Sequence, residues 1–310
     1  LTASGSGAME SAVVNFTSPG DHSLVVSIGN FGERFQNLVK IYGGVLVEDS
    51  YAGGQAADLN RVEAALKADP EIRTVFITHN ETSTGVTNPV LPDLAALVHA
   101  HDALLVVDAI SSLSSIEVKT DAWDLDVVLS GSQKGWMVAP GLAFVSVNER
   151  AAARAAETKP KQPRFYFDLK RHTDSLANGQ TPWTPAVSLF FQLDKALEMM
   201  FAEGLENIYA RHHRIGAMVR DGVRSIGLEL LADEGVESDT VTAFWLPEGI
   251  NGSQVSKIAR EEHGTVFAGG QGDLTGKIMR FGHLGAMTED DITAGLDALR
   301  LSFEQAGFKK

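Results

Sequence analysis

The sequence predicts an α/β protein: a mostly parallel sheet with helices on both faces, followed by a smaller α+β domain. Three observations predict it. Short apolar runs rich in β-branched residues recur through the first half of the chain, at 24–28, 45–47, 74–78, 103–107, 126–130 and 142–147. They are nearly continuous rather than alternating, as expected of strands covered on both faces. Between them lie segments of helical character, and a β-α-β-α rhythm over about 150 residues implies parallel strands with helices packed on either side.

Taken in order, the first helical stretch is 9–16, introduced by Ala3-Ser4-Gly5-Ser6-Gly7-Ala8 and closed by the turn Ser18-Pro19-Gly20-Asp21. The segment 31–42 stops at Gly43-Gly44, 59–68 stops at Asp69-Pro70, and 93–101 starts after Pro92. Gly and Pro stand where a helix must end or begin. Around Lys159-Pro160-Lys161-Gln162-Pro163 the alternation breaks, and a polar, Pro-bearing segment runs to Pro185. Two long helical patterns follow, 186–202 and 205–226. Strands are then expected at 240–246, 265–268 and 277–281, with helices at 254–262 and 289–305. The domain change falls near Pro185, giving a large domain of residues 1–185 and a small C-terminal domain of residues 186–310.

Composition agrees with two domains. The chain has 310 residues, 44% of them hydrophobic, and exceeds the ~250–300 residues at which a single core stops growing. Twenty-six basic against 40 acidic side chains give a formal charge of −14, which disfavours nucleic-acid or anionic-membrane partners. The longest charge-free stretch, 175–193, contains Pro182 and Pro185 and does not suit lipid. With no cysteine, disulfides, thiolate metal sites and a cysteine nucleophile are excluded. Leu1 leads straight into small and polar residues without a signal-peptide pattern, so a cytoplasmic location is expected. The lack of an initiator Met points to a fragment of a longer chain.

In open parallel sheets, ligands bind beyond the carboxyl ends of the strands. Three strand ends carry reactive side chains: His79-Asn80-Glu81-Thr82-Ser83-Thr84-Gly85 after Thr78, Asp108-Ala109-Ile110-Ser111-Ser112 after Val107, and Ser130-Gly131-Ser132-Gln133-Lys134-Gly135 after Leu129. Asp108 and Lys134 are 134 − 108 = 26 residues apart, about what a strand, a crossover and the next strand consume. Both would face one crevice. Singly, such an Asp is more often a cap and such a Lys a surface residue. Jointly, on consecutive strands, they fit pyridoxal phosphate, which needs a Schiff-base lysine and a carboxylate for its pyridinium nitrogen. The Ser/Gly cluster at 3–8 precedes a helix, whose free N–H groups and dipole suit a phosphate.

These motifs together resemble the class V aminotransferases of the type I pyridoxal phosphate fold, in particular the alanine–glyoxylate, serine–pyruvate and serine–glyoxylate aminotransferase group. The likeness runs from the first residues to the last helix. It implies that Lys134 is the Schiff-base lysine and Asp108 the pyridinium partner. It further implies that Ser4, Gly5, Ser6 and Gln133 meet the phosphate, that Phe31 stacks on the ring and that Thr82 places a hydroxyl near it. Thr184, in Thr181-Pro182-Trp183-Thr184-Pro185, matches a threonine that reaches the phosphate of the partner subunit. Arg280, in Lys277-Ile278-Met279-Arg280-Phe281-Gly282, matches the arginine that grips the substrate α-carboxylate, where a planar guanidinium gives two parallel hydrogen bonds. The expected activity is ping-pong transfer of an amino group from a small amino acid, alanine or serine, to glyoxylate or pyruvate. The resemblance also implies a homodimer with a shared active site, and an N-terminal arm before the phosphate-binding turn that this chain lacks.

Other readings fit less well. A cysteine desulfurase needs a reactive Cys and carries His where Gln133 stands. A lyase of the same fold has no positive feature. A dinucleotide-dependent dehydrogenase needs a third glycine and a preceding strand beside Gly5 and Gly7. A non-catalytic relative acting as a binding subunit has no need of both Asp108 and Lys134. No metal site is expected: His99 and His101 lie two apart on a helix, His212 and His213 are adjacent and read as solvated, and Asp233, Glu234, Glu237 and Asp239 read as a wetted acidic loop.

Overall fold

The computed structural model describes residues 1–157 and 162–309; Lys159, Pro160 and Lys161 of the expected break lie outside them. In chain order the first elements are α1 (Gly5–Phe16), β1 (His22–Ser27), α2 (Asn30–Ile41), β2 (Val45–Ser50), α3 (Leu59–Ala68) and β3 (Ile72–Thr78). A short hairpin of β4 (Asn80–Glu81) and β5 (Val86–Thr87) precedes α4 (Leu91–Ala100), β6 (Leu104–Asp108), β7 (Val127–Gly131) and β8 (Ala143–Val147). Helices α5 (Glu149–Glu157), α6 (Leu169–Leu176), α7 (Val187–Glu203) and α8 (Leu205–Ile226) follow. The remainder is β9 (Val241–Trp245), α9 (Gly252–His263), β10 (Ala268–Gly269), β11 (Ile278–Gly282) and α10 (Glu289–Gln305).

The main sheet has the order β2-β1-β3-β6-β7-β8. All its pairings are parallel except that of β8 with β7. Alternate side chains of each strand enter different cores. Leu24, Val26, Val75, Ile77, Leu105 and Val107 join Val62 and Leu66 of α3 and Leu94 and Val98 of α4. Val25, Phe76, Leu104 and Val106 join Met9 and Val13 of α1 and Phe35 and Val39 of α2. Burial on both faces is why these strands read as unbroken apolar runs.

The second sheet is antiparallel, ordered β10-β11-β9. One face packs Phe244, Met279 and Phe281 against Val219 and Val223 of α8, Val255 of α9 and Leu299 and Phe303 of α10. Helices α7 and α8 are joined through Gly204, whose φ of 84° is a left-handed conformation that glycine adopts without strain. Among the described residues no helix is long and apolar enough to cross a membrane.

Several expectations shift. The first helix begins at Gly5, so the Ser/Gly cluster forms its opening turn. The strand expected at 265–268 shrinks to Ala268–Gly269, because Thr265 N–H instead closes α9 on Ala259 O and Val266 stands exposed. His212 is not solvated: it is 1% exposed, with Nδ1 bonded to Ile208 O and Nε2 accepting from Gly285 N–H. The acidic loop is only partly wetted, since Asp239 pairs with Arg220 and Glu237 with Arg224.

Candidate active site

The chain leaves β1 toward β2 on one side and β3 on the other, so the topological switch lies between β1 and β3. A crevice opens there at the carboxyl ends of the strands. A cavity of about 210 Å³ occupies it. Phe31 and Arg34 reach it from the start of α2, after β1. Asn80 and Thr82 come from the hairpin after β3, Asp108, Ile110 and Ser111 from the end of β6, and Gln133 and Lys134 from beyond β7. Gly5 and Ser6, at the N-terminus of α1, complete the wall.

Asp108 is the last residue of β6, aligned with Thr78 of β3 and Leu129 of β7. It is 2% exposed and its Oδ1 accepts from Ile110 N–H at 2.9 Å. Burial pushes its pKa up to about 7. The Ile110 hydrogen bond and the charges of Arg34 and Lys134 oppose that rise, while Glu81 adds to it. Lys134 is partly buried; its carbonyl accepts from Met137 N–H at 3.0 Å, while its side-chain amine, among the described residues, forms no hydrogen bond or ion pair. Burial, then the charge of Arg280, holds its pKa below the ordinary lysine value, with Asp108 acting in the other direction.

The first turn of α2 is held from a distant strand. Its N-cap, Gly29, has no side chain to offer. Glu81 substitutes: Oε2 accepts from Phe31 N–H at 3.0 Å and Gly32 N–H at 3.3 Å, while Oε1 accepts from Ser83 N–H and Oγ–H. Close approach requires glycine, since a Cβ on Gly29 would lie 2.7 Å from Glu81 Cγ. Burial raises the Glu81 pKa despite these donors. His79, beneath the hairpin, bonds Ser112 Oγ at 2.9 Å, and burial brings its pKa down to about 4.

Arg280, on β11, is 8% exposed and adjoins the cavity. Its Nε donates to Gly269 O and its Nη1 to Thr82 O, both at 2.9 Å. Nη2 carries no hydrogen bond among the described residues. Asn80 ties the site to the second sheet, its Nδ2 donating to Ser111 Oγ and to Thr240 Oγ1.

Of the residues expected from sequence, Gly5, Ser6, Phe31, Thr82, Asp108, Gln133 and Lys134 line this one cavity, with Arg280 at its edge. Ser4 is the N-cap of α1, exposed, with its carbonyl accepting from Gly7 and Ala8 N–H. Thr184 is elsewhere in the chain, in an apolar cleft of about 900 Å³ with Trp183, Phe190 and Phe191. Sequence reasoning missed Arg34, Asn80, Ile110 and Ser111 as wall residues. The signal for Arg34 was its place three residues after Phe31 on a helix, which puts both on one face.

The donors fit pyridoxal phosphate. A partner-free amine faces a cavity shared with a buried carboxylate, and α1 presents its first N–H groups beside them. At Gly5 a Cβ would come within 2.7 Å of Ile110 Cδ1, so a side chain there would have to displace the Ile110 side chain from the cavity wall. A six-stranded, mostly parallel sheet bearing such a site defines the type I fold of pyridoxal-phosphate-dependent transferases. Residues 2–302 match the class V aminotransferase family, and the chain belongs to it: a pyridoxal-phosphate-dependent enzyme of the aminotransferase class. It is similar to the small subunit of a soluble hydrogenase from Synechococcus sp., 41% identical over 99% of this chain and 80% of that one. It is likewise similar to serine–glyoxylate aminotransferase from Methylorubrum extorquens, 35% identical over 99% of this chain and 78% of that one. The crystal structure of alanine–glyoxylate aminotransferase from Nostoc sp. superimposes with a TM-score of 0.94 at 28% identity, covering 98% of this chain and 80% of that one.

Proposed function

We propose that this chain performs ping-pong transamination, taking the amino group of alanine or serine and delivering it to glyoxylate or pyruvate. The observation that carries the reading is the unpartnered amine of Lys134 sharing a cavity with the buried carboxylate of Asp108. The cofactor, when bound, supplies a sink for the electron pair left as the donor's Cα–H bond breaks. Lys134 provides the amine that tethers it and, once released by the donor's amino group, takes the Cα proton at Nζ and later returns one. Its lowered pKa leaves more of the neutral amine near neutrality. Asp108 is assigned to the ring nitrogen, because a desolvated carboxylate regains its ionised form when a cation is set against it.

Arg280 is assigned to the donor's α-carboxylate. Two backbone carbonyls fix the guanidinium and leave Nη2 free to bind. Ser4, Gly5, Ser6 and Gln133 are assigned to the phosphate, Phe31 to the ring face and Thr82 to the ring's edge. Serine and alanine as donors, and glyoxylate as acceptor, follow the activities named for the Methylorubrum and Nostoc relatives.

The working unit on this reading is a homodimer in the cytoplasm, built from a large cofactor domain to residue 185 and a small domain beyond it. Support for the dimer is an apolar face: Leu176, Val187, Phe190, Phe191, Met199, Phe201 and Leu205 are all exposed. Thr184 lies on that face, where it would serve the neighbouring subunit's site. A second reading, a subunit within an oxidoreductase assembly, takes its support from the name of the Synechococcus relative.

The test is direct. The full-length protein loaded with pyridoxal phosphate should absorb visibly, bleach with borohydride and turn over in a matrix of alanine, serine and aspartate donors against glyoxylate and pyruvate. Lys134→Ala should abolish both the colour bleached by borohydride and the turnover. A Lys134→Ala protein that still transaminates overturns the mechanism, and a wild-type protein inactive with every pair favours the subunit reading.

A further inference from the structure

Arg34 faces the cavity that Asp108 also lines and forms no ion pair among the described residues. Among the described residues no carboxylate oxygen lies within 4.0 Å of it, whereas most of the chain's arginines hold an ion pair. Two neutral contacts fix it instead. Its Nη1 donates to Ser6 Oγ at 2.6 Å, and its guanidinium lies over the Phe31 ring at 4.6 Å from the centroid. The guanidinium is half-exposed at the cavity wall, and these two neutral contacts aim its charge at the cavity without neutralising it, leaving it available to an anion that enters. The chain carries 40 acidic side chains, yet none meets this one.

The surroundings specify what arrives. Ser6 belongs to the opening turn of α1, where Gly7 and Ala8 N–H already bond Ser4 O and the first N–H groups of the helix have no intrahelical partner. That turn offers only neutral donors, as does Gln133. Lys134 is the other cation of the wall, and its amine is committed to the carbonyl chemistry. We propose that Arg34 is the charged half of the phosphate site. It meets the cofactor's phosphate dianion together with the α1 turn and sets the Ser6 hydroxyl as a donor toward it. The proposal rests on the transaminase reading above. It adds a residue that neither the motifs nor the family likeness singled out.

The experiment uses the full-length apoprotein, titrated separately with pyridoxal phosphate and with unphosphorylated pyridoxal and followed by visible absorbance. Arg34→Gln keeps a donor for Ser6 but removes the charge. It should raise the Kd for pyridoxal phosphate about tenfold or more, the usual effect of deleting a charged hydrogen bond, and leave pyridoxal within about twofold. Arg34→Lys should recover part of the loss. In phosphorus-31 NMR, the wild-type holoenzyme should show a signal constant from about pH 5.5 to about 8, held as the dianion. In Arg34→Gln the signal should titrate near the ordinary second phosphate pKa of about 6.

A pyridoxal phosphate Kd unchanged in Arg34→Gln, or an equal weakening for pyridoxal, overturns the assignment. So does a shift confined to the KM of a dicarboxylate donor, which would make Arg34 a substrate residue. Should Arg34→Gln fail to fold, a wild-type phosphorus signal that titrates like free cofactor overturns it alone. Wild-type protein that takes up no pyridoxal phosphate at all fails the transaminase reading itself, and this assignment with it.

Discussion

Lys134 sits where its surroundings oppose its charge. Removal from water disfavours the ammonium, the guanidinium of Arg280 repels it, and Asp108 only partly offsets the two. On the assignment of Lys134 proposed above, cofactor uptake needs the neutral amine. Its rate should therefore rise with pH through a midpoint below the ordinary lysine value, and stopped-flow absorbance of apoprotein mixed with pyridoxal phosphate at a series of pH values reads that midpoint. Arg280→Gln removes the repelling charge and should move the midpoint upward; an unmoved midpoint would show that burial acts alone. At this scale the sequence was most legible in the placing of rare side chains at strand ends: Asp108 and Lys134 line one cavity, as expected. It was least legible where environment decides. The pair His212-His213 looks alike in sequence, yet His212 is buried between Ile208 O and Gly285 N–H while His213 is exposed beside Asp239.

Elements with a long apolar stripe declared themselves, whichever way that stripe faces: that of α10 is buried and much of that of α7 is exposed. Helix α10 runs from Glu289 to Gln305 as the pattern required, because Ile292, Leu299 and Phe303 fall on one buried face. Its start is fixed by a reciprocal cap: Thr288 Oγ1 accepts from Asp291 N–H, and Asp291 Oδ2 accepts from Thr288 N–H. Thr288→Ala should cost about 1 kcal/mol, measurable as a lowered urea midpoint at unchanged slope, since α10 packs on the core of the small sheet. Helix α6 buries no residue, so periodicity had nothing to report there. The capping of α2 was also beyond sequence reasoning, because its acceptor, Glu81, lies 50 positions from Phe31.

For the whole molecule, the order of apolar runs and breakers gave the parallel sheet and its helical layers, since crossover connections leave few alternatives. What covers the outer face of α7 could not be read that way. Phe191 is 73% and Phe201 82% exposed, and a contiguous apolar face of this kind marks an association surface. On the homodimer proposed above, Phe191→Asp combined with Phe201→Asp should shift the protein from dimer to monomer in sedimentation velocity. On the same proposal activity should fall with the dimer, Thr184 being assigned to the neighbouring subunit's site. A double variant that stays dimeric would place the interface elsewhere.

The carboxylate of Glu81 beneath the first turn of α2 has a further consequence, for the order in which the molecule comes apart. The leading amides of that turn, on Phe31 and Gly32, take their acceptor from beyond β3 rather than from a local side chain, which ties the turn to the docking of β3 beside β1. With Phe31 assigned to the ring face, loosening of β3 should release the coenzyme before the helices melt, so on mild heating visible absorbance should be lost ahead of far-ultraviolet ellipticity.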